Sequence, residues 1–371
     1  MSSERLWPLA PLGVGAVSFL LGLVHLTKYP WWHDEKITAR VATQSLAGIW
    51  RAARGTEQAH FLYYLGMKAW FRVIDGPGNH WLARFPSVIW LALAAATLTA
   101  LGTRLFGRTV GVLAGLILAT NFLFLHWEQF ARDLTISLFT ATFATYAFVR
   151  MVQAPTLARW AWVWAASVVV ASWVELFGVC ILAGHAAGYV VRTRIEGEVR
   201  PGRRREVLLG AAAFALVIPN MVLIATAING QFVVPQVSLR RLVSQPWVWA
   251  GRNPVALIGC AVGLAVLAAA LRPASRLADG HRVEPWKVAL TAGLFVSPFL
   301  VTLLLSPIKP AWESHYFFSA TPALALLVGV AIVWLPGRLG VALLACMCVG
   351  AGLMMADFYA LRPYGNFWSL F

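Results

Sequence analysis

Charge is what this chain has least of. Only 12% of its 371 residues are Asp, Glu, Lys or Arg, against about 25% in an ordinary soluble domain, which excludes a soluble globular protein. The period-two alternation of an outer-membrane barrel is absent as well. Cysteine is scarce: Cys180, Cys260, Cys346 and Cys348 all lie in apolar runs, and none has metal-ligand or redox spacing. No small-x-small cleavage site follows the apolar stretch Leu9–Leu26, so the first segment reads as an uncleaved helix rather than a signal peptide. No apolar run carries an acid at mid-depth; His185 is the one ionisable residue deep in a span, and no inverted repeat is visible. Both absences weigh against a transporter or flippase. Few residues follow Asp357, so residues 1–371 are expected to form a single transmembrane domain with no soluble C-terminal domain.

What is present is apolar length. Hydrophobic residues make up 60% of the chain, and the mean hydropathy is +0.71. Runs of spanning length recur at roughly 8–28, 82–102, 109–126, 133–150, 158–173, 176–191, 207–227, 254–271, 288–305, 317–335 and 339–356. The expectation is an all-α polytopic membrane protein of about eleven transmembrane helices. The segments 158–173 and 176–191 are short and also read as one long broken element. The net charge of +15 sits in the loops between spans, which points to lipid phosphates rather than nucleic acid as partners. Basic residues crowd alternate loops: Arg104 and Arg108, Arg150 and Arg159, Arg192 to Arg205, Arg272 to Lys287, and Arg338. The positive-inside rule then puts the N-terminus in the cytoplasm and Asp34 outside. Nine of the fifteen acids, Asp34, Glu35, Glu57, Asp75, Glu128, Asp133, Glu175, Glu313 and Asp357, fall on or near that outer face.

The first outer loop, 29–81, is patterned. Ala42, Leu46, Ile49, Trp50 and Ala53 have helical spacing over 35–54, and a second helix over about 58–74 carries Phe61, Leu62, Leu65, Trp70 and Phe71 before Gly76-Pro77-Gly78. Both read as interfacial amphipathic helices. The loop opens on Trp31-Trp32-His33-Asp34-Glu35, an acid pair at the mouth of a span. Asp34 reads either as an N-cap or as a general base held at a helix start; the two are compatible. His33 reads as a solvated loop residue or a metal ligand.

In His126-Trp127-Glu128-Gln129-Phe130-Ala131-Arg132-Asp133, Arg132 reads either as an i,i+4 partner of Glu128 or as the holder of an anionic phosphate, with Glu128 or Gln129 touching a sugar or metal. Glu175 reads as a turn residue with a site role as the minor alternative. Arg240, Arg241 and Arg252, near Trp247 and Trp249, read as interfacial anchors or as a phosphate-binding rim. Lys309 to Tyr316 is a further polar stretch, in which Lys309 or His315 would neutralise a leaving phosphate if it is not simply an exposed loop.

Taken in order, these segments resemble the GT-C superfamily of membrane glycosyltransferases, in the bacterial branch that includes relatives of protein O-mannosyltransferases and the aminoarabinose transferase acting on lipid A. Asp34-Glu35 matches the acidic pair that opens that family's first outer loop. His60-Phe61-Leu62-Tyr63-Tyr64 keeps the Leu-Tyr-Tyr of its His-Pro-Pro-Leu-Tyr-Tyr-like stretch and lacks the prolines. Arg84-Phe85-Pro86-Ser87 and Leu105-Phe106-Gly107-Arg108 match two turns, and Glu128-Gln129-Phe130-Ala131-Arg132 keeps the Gln, Ala and Arg of a third motif. His315-Tyr316 with Pro322 resembles an Arg-Tyr element, with His in place of Arg.

The resemblance implies a GT-C-like bundle in a bacterial cytoplasmic membrane. Its implied activity is inverting transfer of a sugar from a polyprenyl-phosphate donor to an extracytoplasmic hydroxyl of a glycolipid, envelope glycan or protein. It implies Asp34 as base and Glu35 orienting it or touching sugar. Arg132, Lys309, His315 and Arg241 would meet the donor phosphate; Glu128, Gln129, His60, Tyr63, Tyr64 and Glu313 would meet sugar or acceptor. A metal-free site is implied, with Mg or Mn on His33, Asp34 and Glu128 as the alternative. A non-catalytic prenyl-lipid-binding scaffold is the remaining reading.

Overall fold

The computed structural model describes residues 9–55, 60–195, 202–226, 244, 247–248, 250–271, 283–305 and 314–360. Every regular element among them is helical. In chain order these are α1 (Ala10–Leu23), α2 (His33–Ala42), α3 (Leu46–Arg54), α4 (Phe61–Val73), α5 (His80–Phe106), α6 (Arg108–Ala119), α7 (Phe122–Trp127), α8 (Leu134–Gln153), α9 (Ala158–Val174), α10 (Ile181–Val190), α11 (Arg203–Thr226), α12 (Pro254–Ala270), α13 (Pro285–Leu305), α14 (Thr321–Trp334) and α15 (Arg338–Tyr359). Among the described residues, seven segments, including α5, α8, α11, α13 and α15, are long and apolar enough to cross a membrane; α1, α6 and α12 are shorter apolar helices.

A helix stands at each of the eleven expected spans. The ambiguous pair 158–191 forms two helices. Glu175 has extended backbone (φ −152°, ψ 126°) between α9 and the 3-10 turn Leu176–Cys180. The chain then runs back along α9: Gly178 packs on the Ala171 backbone, and Trp164 Nε1 donates to His185 Nδ1 at 3.1 Å. Local chemistry sets the starts: Asn79 accepts from Leu82 N, Asn121 from Leu123 N and Asn253 from Val255 N, with Pro254 opening α12.

α14 is buried at every residue from Thr321 to Ile332, so it forms the axis of the bundle. α15 exposes Leu339, Val341, Val349 and Leu353, the pattern of a lipid-facing helix. In lipid, close approach of backbones rather than hydrophobic burial drives helix association. The α5–α6 hairpin shows why glycine is needed: a Cβ on Gly111 would meet the Thr99 carbonyl oxygen and, at 2.5 Å, the Thr103 nitrogen, both backbone atoms. Gly111→Ala is expected to cost about 1–3 kcal/mol or more by forcing α5 and α6 apart, read as a lower melting temperature of the purified protein in detergent. A variant melting with the wild type would refute that packing.

Two polar ends result. One carries the C-terminal end of α1, helices α2–α4, the starts of α5 and α8, and the end of α15, tied by Lys28 Nζ to Phe358 O (2.7 Å) and Tyr359 Oη to Leu21 O (2.8 Å). The other carries the pairs Arg104–Gln153 and Arg192–Glu284. The expected single helix over 35–54 is broken, because Ser45 accepts from Gly48 N and starts α3 anew. Helices α2–α4 cover the first end with their own apolar cluster, Ile37, Val41, Ile49, Tyr63, Tyr64, Met67 and Phe71, seated on Ala83, Ala131 and Val174.

Candidate functional site

α2 begins at His33 with Trp32 as its N-cap residue, so Asp34 lies within the first turn rather than capping it. Its carboxylate is therefore not engaged in holding the helix start. Glu35, one residue on, points the other way. It is fully buried and meets Arg84 of α5 through two hydrogen bonds, Nε to Oε1 at 2.8 Å and Nη2 to Oε2 at 2.7 Å. The same carboxylate accepts from Ala131 N (2.9 Å) and Trp32 N (3.1 Å). Arg84 also donates to the carbonyls of Leu26, Tyr29 and Pro30. One buried ion pair thus joins the loop after α1, the start of α2, α5 and the segment before α8. Glu35 braces the start of α2, and both its oxygens are engaged by these partners.

Asp34 faces the cluster's open side. Its side chain keeps 27% of its surface exposed and lies 3.7 Å from Arg132 Nη2. Arg132, 15% exposed, also lies 3.8 Å from Asp133 Oδ1. Both separations are beyond hydrogen-bond range, and Arg132 Nη1 has no hydrogen-bond partner. Burial would discharge this guanidinium, but the neighbouring carboxylates of Asp133 and Asp34 keep it charged. Asp133 Oδ2 and Glu175 Oε2 each lie 3.3 Å from His60 Nδ1. Charges therefore alternate along Asp34, Arg132, Asp133, His60 and Glu175. Burial alone would lower the His60 imidazole, yet Asp133 and Glu175 raise it to about 9. Burial lifts the Glu175 carboxyl to about 7 against the pull of His60. Asp133, buried as well, is drawn well below the carboxylate range by His60 and Arg132. Tyr63 and Tyr64 are buried beside Arg132, and burial pushes the Tyr63 phenol far up.

Several sequence-derived expectations change. Glu128 does not pair with Arg132, because α7 ends at Trp127 and α8 starts only at Leu134, so no helix carries both. Instead its carboxyl is fully buried against Gly22 and Val88, with neither oxygen hydrogen-bonded. Gln129 caps the end of α1, donating to Gly22 O at 3.0 Å. Neither residue is placed to touch sugar, and Glu128 is not placed to share a metal with His33, which is exposed. Tyr63 and Tyr64 are packing residues first. Arg252 lies over the Phe122 ring. Arg240, Arg241, Lys309 and Glu313 lie outside the described residues, as does the side chain of His315. Sequence reasoning missed the Arg84 partnership, although Arg84 opened a recognised turn, and did not bring Asp133 and Glu175 together with His60.

Glu128 yields a sign-definite expectation. Burial raises its carboxyl well above the ordinary value. The folded state therefore binds more protons than the unfolded chain, and stability falls as pH rises above the usual carboxylate range. Glu128→Gln removes the titration while keeping the shape. It should melt higher than wild type, by a margin that widens from pH 5 to pH 8. A constant margin would refute the buried acid.

No family model matches the chain, and no curated protein matches it in sequence. Solved structures do. Crystal structures of ArnT from Cupriavidus metallidurans, bound to undecaprenyl phosphate and in the apo state, match it with TM-scores of 0.61 and 0.62. The identities are 17% and 16%, over 98% of this chain in both cases. The match covers 66% and 67% of ArnT, so the chain spans about two thirds of that protein's length. The chain therefore has the fold of those ArnT structures.

Proposed function

We propose that this chain, with the fold of a protein crystallised with undecaprenyl phosphate, is a glycosyltransferase that moves a sugar from a polyprenyl-phosphate donor to a hydroxyl acceptor on the extracytoplasmic face. The acceptor class is a glycolipid, an envelope glycan or a protein. The carrying observation is the Asp34–Arg132 pair: a partly open carboxylate and, 3.7 Å away, a guanidinium with an unused Nη1 donor, at the end of the bundle away from the arginine-rich loops. A base and an anion-binding cation side by side are what sugar transfer from a phosphate ester needs.

In the proposed step Asp34 takes the proton of the acceptor hydroxyl as its oxygen attacks the anomeric carbon. The bond from that carbon to the phosphate oxygen breaks, and its electron pair leaves with the polyprenyl phosphate. Attack from the face opposite the phosphate inverts the configuration. Arg132 stabilises the charge that gathers on the departing phosphate. Asp133, 3.8 Å from that guanidinium, helps hold it in place, and Glu35 with Arg84 fixes the start of α2 that carries Asp34. The prenyl tail would lie among the apolar helices, and Arg241, Lys309 and His315 remain candidates for further phosphate contacts.

The test incubates the purified protein with a panel of polyprenyl-phosphate-linked sugars and lipid, glycan and peptide acceptors, with and without EDTA. Mass spectrometry then follows released polyprenyl phosphate. Release with one donor supports the reading. Binding of polyprenyl phosphate with no release from any donor would favour the non-catalytic scaffold.

A further inference from the structure

We infer that His60, Asp133 and Glu175 form a binding site for one divalent transition-metal ion of the zinc class, set behind the Asp34–Arg132 pair. The inference is independent of the glycosyl-transfer reading, because it concerns binding and not turnover.

The three donors come from elements far apart in sequence: His60 at the N-cap of α4, Asp133 at that of α8, and Glu175 where α9 ends. Their ligand atoms all lie within 4.8 Å of one another. His60 Nδ1 stands 3.3 Å from Asp133 Oδ2 and 3.3 Å from Glu175 Oε2. Zinc bonds to nitrogen and oxygen of about 2.0–2.1 Å in a tetrahedron give edges between ligands of about 3.3–3.4 Å. A charge-assisted N–H···O bond is shorter, about 2.7–2.9 Å. The single Nδ1 faces two carboxylates and, at 3.4 Å, the Val174 carbonyl. One N–H cannot serve three acceptors, whereas one lone pair can serve one metal. Asp133 Oδ2 is buried with no hydrogen-bond partner of its own.

The donor set selects the ion. One imidazole with two carboxylates suits zinc, and manganese less tightly; magnesium prefers an octahedron of oxygens with several waters. Near-complete burial of both carboxylates leaves little room for those waters. A bound ion would pin α4 to α8 and α9, fastening the interfacial helices to the bundle. It would also fix Asp133, whose Oδ1 lies beside Arg132.

The protein is stripped with chelator, dialysed, and titrated with Zn2+, Mn2+ and Mg2+ by calorimetry, with metal content read by mass spectrometry. One equivalent of Zn2+ is expected, bound tightest of the three, with a rise in melting temperature. His60→Ala, Asp133→Asn and Glu175→Gln should each weaken Zn2+ by more than the roughly 10–100-fold typical of losing a residue behind the ligands; His33→Ala should leave it unchanged. X-ray absorption of the zinc-loaded wild type keeps the test decisive if a variant fails to fold, and should show one imidazole among oxygens. Wild type without stoichiometric zinc, a shell with two imidazoles or sulfur, or unchanged affinity in folded His60→Ala would each overturn the site.

Discussion

Asp34→Asn is expected to slow sugar transfer by about 10²–10⁴-fold while leaving the protein folded. The amide matches the carboxylate in shape and cannot accept the acceptor's proton. Its stability cost should be small: Asp34 is partly exposed, and its 3.7 Å contact with Arg132 is too long for a hydrogen bond, the kind of pair worth about 0–1 kcal/mol. The expected signature is therefore a collapse of turnover with near-normal affinity for polyprenyl phosphate and a near-normal melting temperature. Initial rates, lipid-binding titrations and a melting curve on the same preparation read all three. Full activity in Asp34→Asn would remove the base from the mechanism and leave the lipid-binding scaffold as the better account.

The second large effect is on stability. Arg84→Met is expected to destabilise the protein by about 3–5 kcal/mol, the usual penalty for removing one partner of a buried ion pair. Glu35 would be left as an unpaired anion with no exposed surface, and the carbonyls of Leu26, Tyr29 and Pro30 would lose their donor. Glu35→Gln should cost less, because the amide oxygen still accepts two bonds and Arg84 keeps its three carbonyl acceptors, although the NH2 group faces donors. Combining the two should cost less than the sum of the single changes, since the second no longer strands a charge. Chemical denaturation of the four proteins in one detergent gives the cycle. Strict additivity would mean that Glu35 and Arg84 do not act as a unit. Both single variants should also lower transfer, because α2 carries Asp34 from the same anchor.

Asp34 and Glu35 also show how far sequence reasoning reaches. Their composition, their place after the first span and the amphipathic periodicity beyond them all indicate a helix at the mouth of a membrane bundle. Adjacency gives them the same depth and suggests a shared task. In an α-helix consecutive side chains diverge by about 100°, so one faces the cluster with Arg132 and the other enters the bundle to meet Arg84. Which is which depends on what packs against α2. Glu128 and Arg132 failed as an i,i+4 pair for a related reason: the spacing is meaningful only if one helix spans both, and here the chain breaks between α7 and α8.

The sequence alone determined the solvent this chain folds in, the helical spans, the helical character of the first loop and the segments where polar chemistry gathers. These are local or compositional properties, set by the absence of water partners for the backbone in lipid and by a repeat of 3.6 residues. Tertiary structure decided that Glu35 is locked to Arg84, that Glu128 is buried while Gln129 caps the end of α1, and that His60, Asp133 and Glu175 meet. Those outcomes depend on which helix ends come together and how each helix is rotated about its axis. Such rotations are fixed by contacts between residues far apart in the chain, about which a single sequence says little.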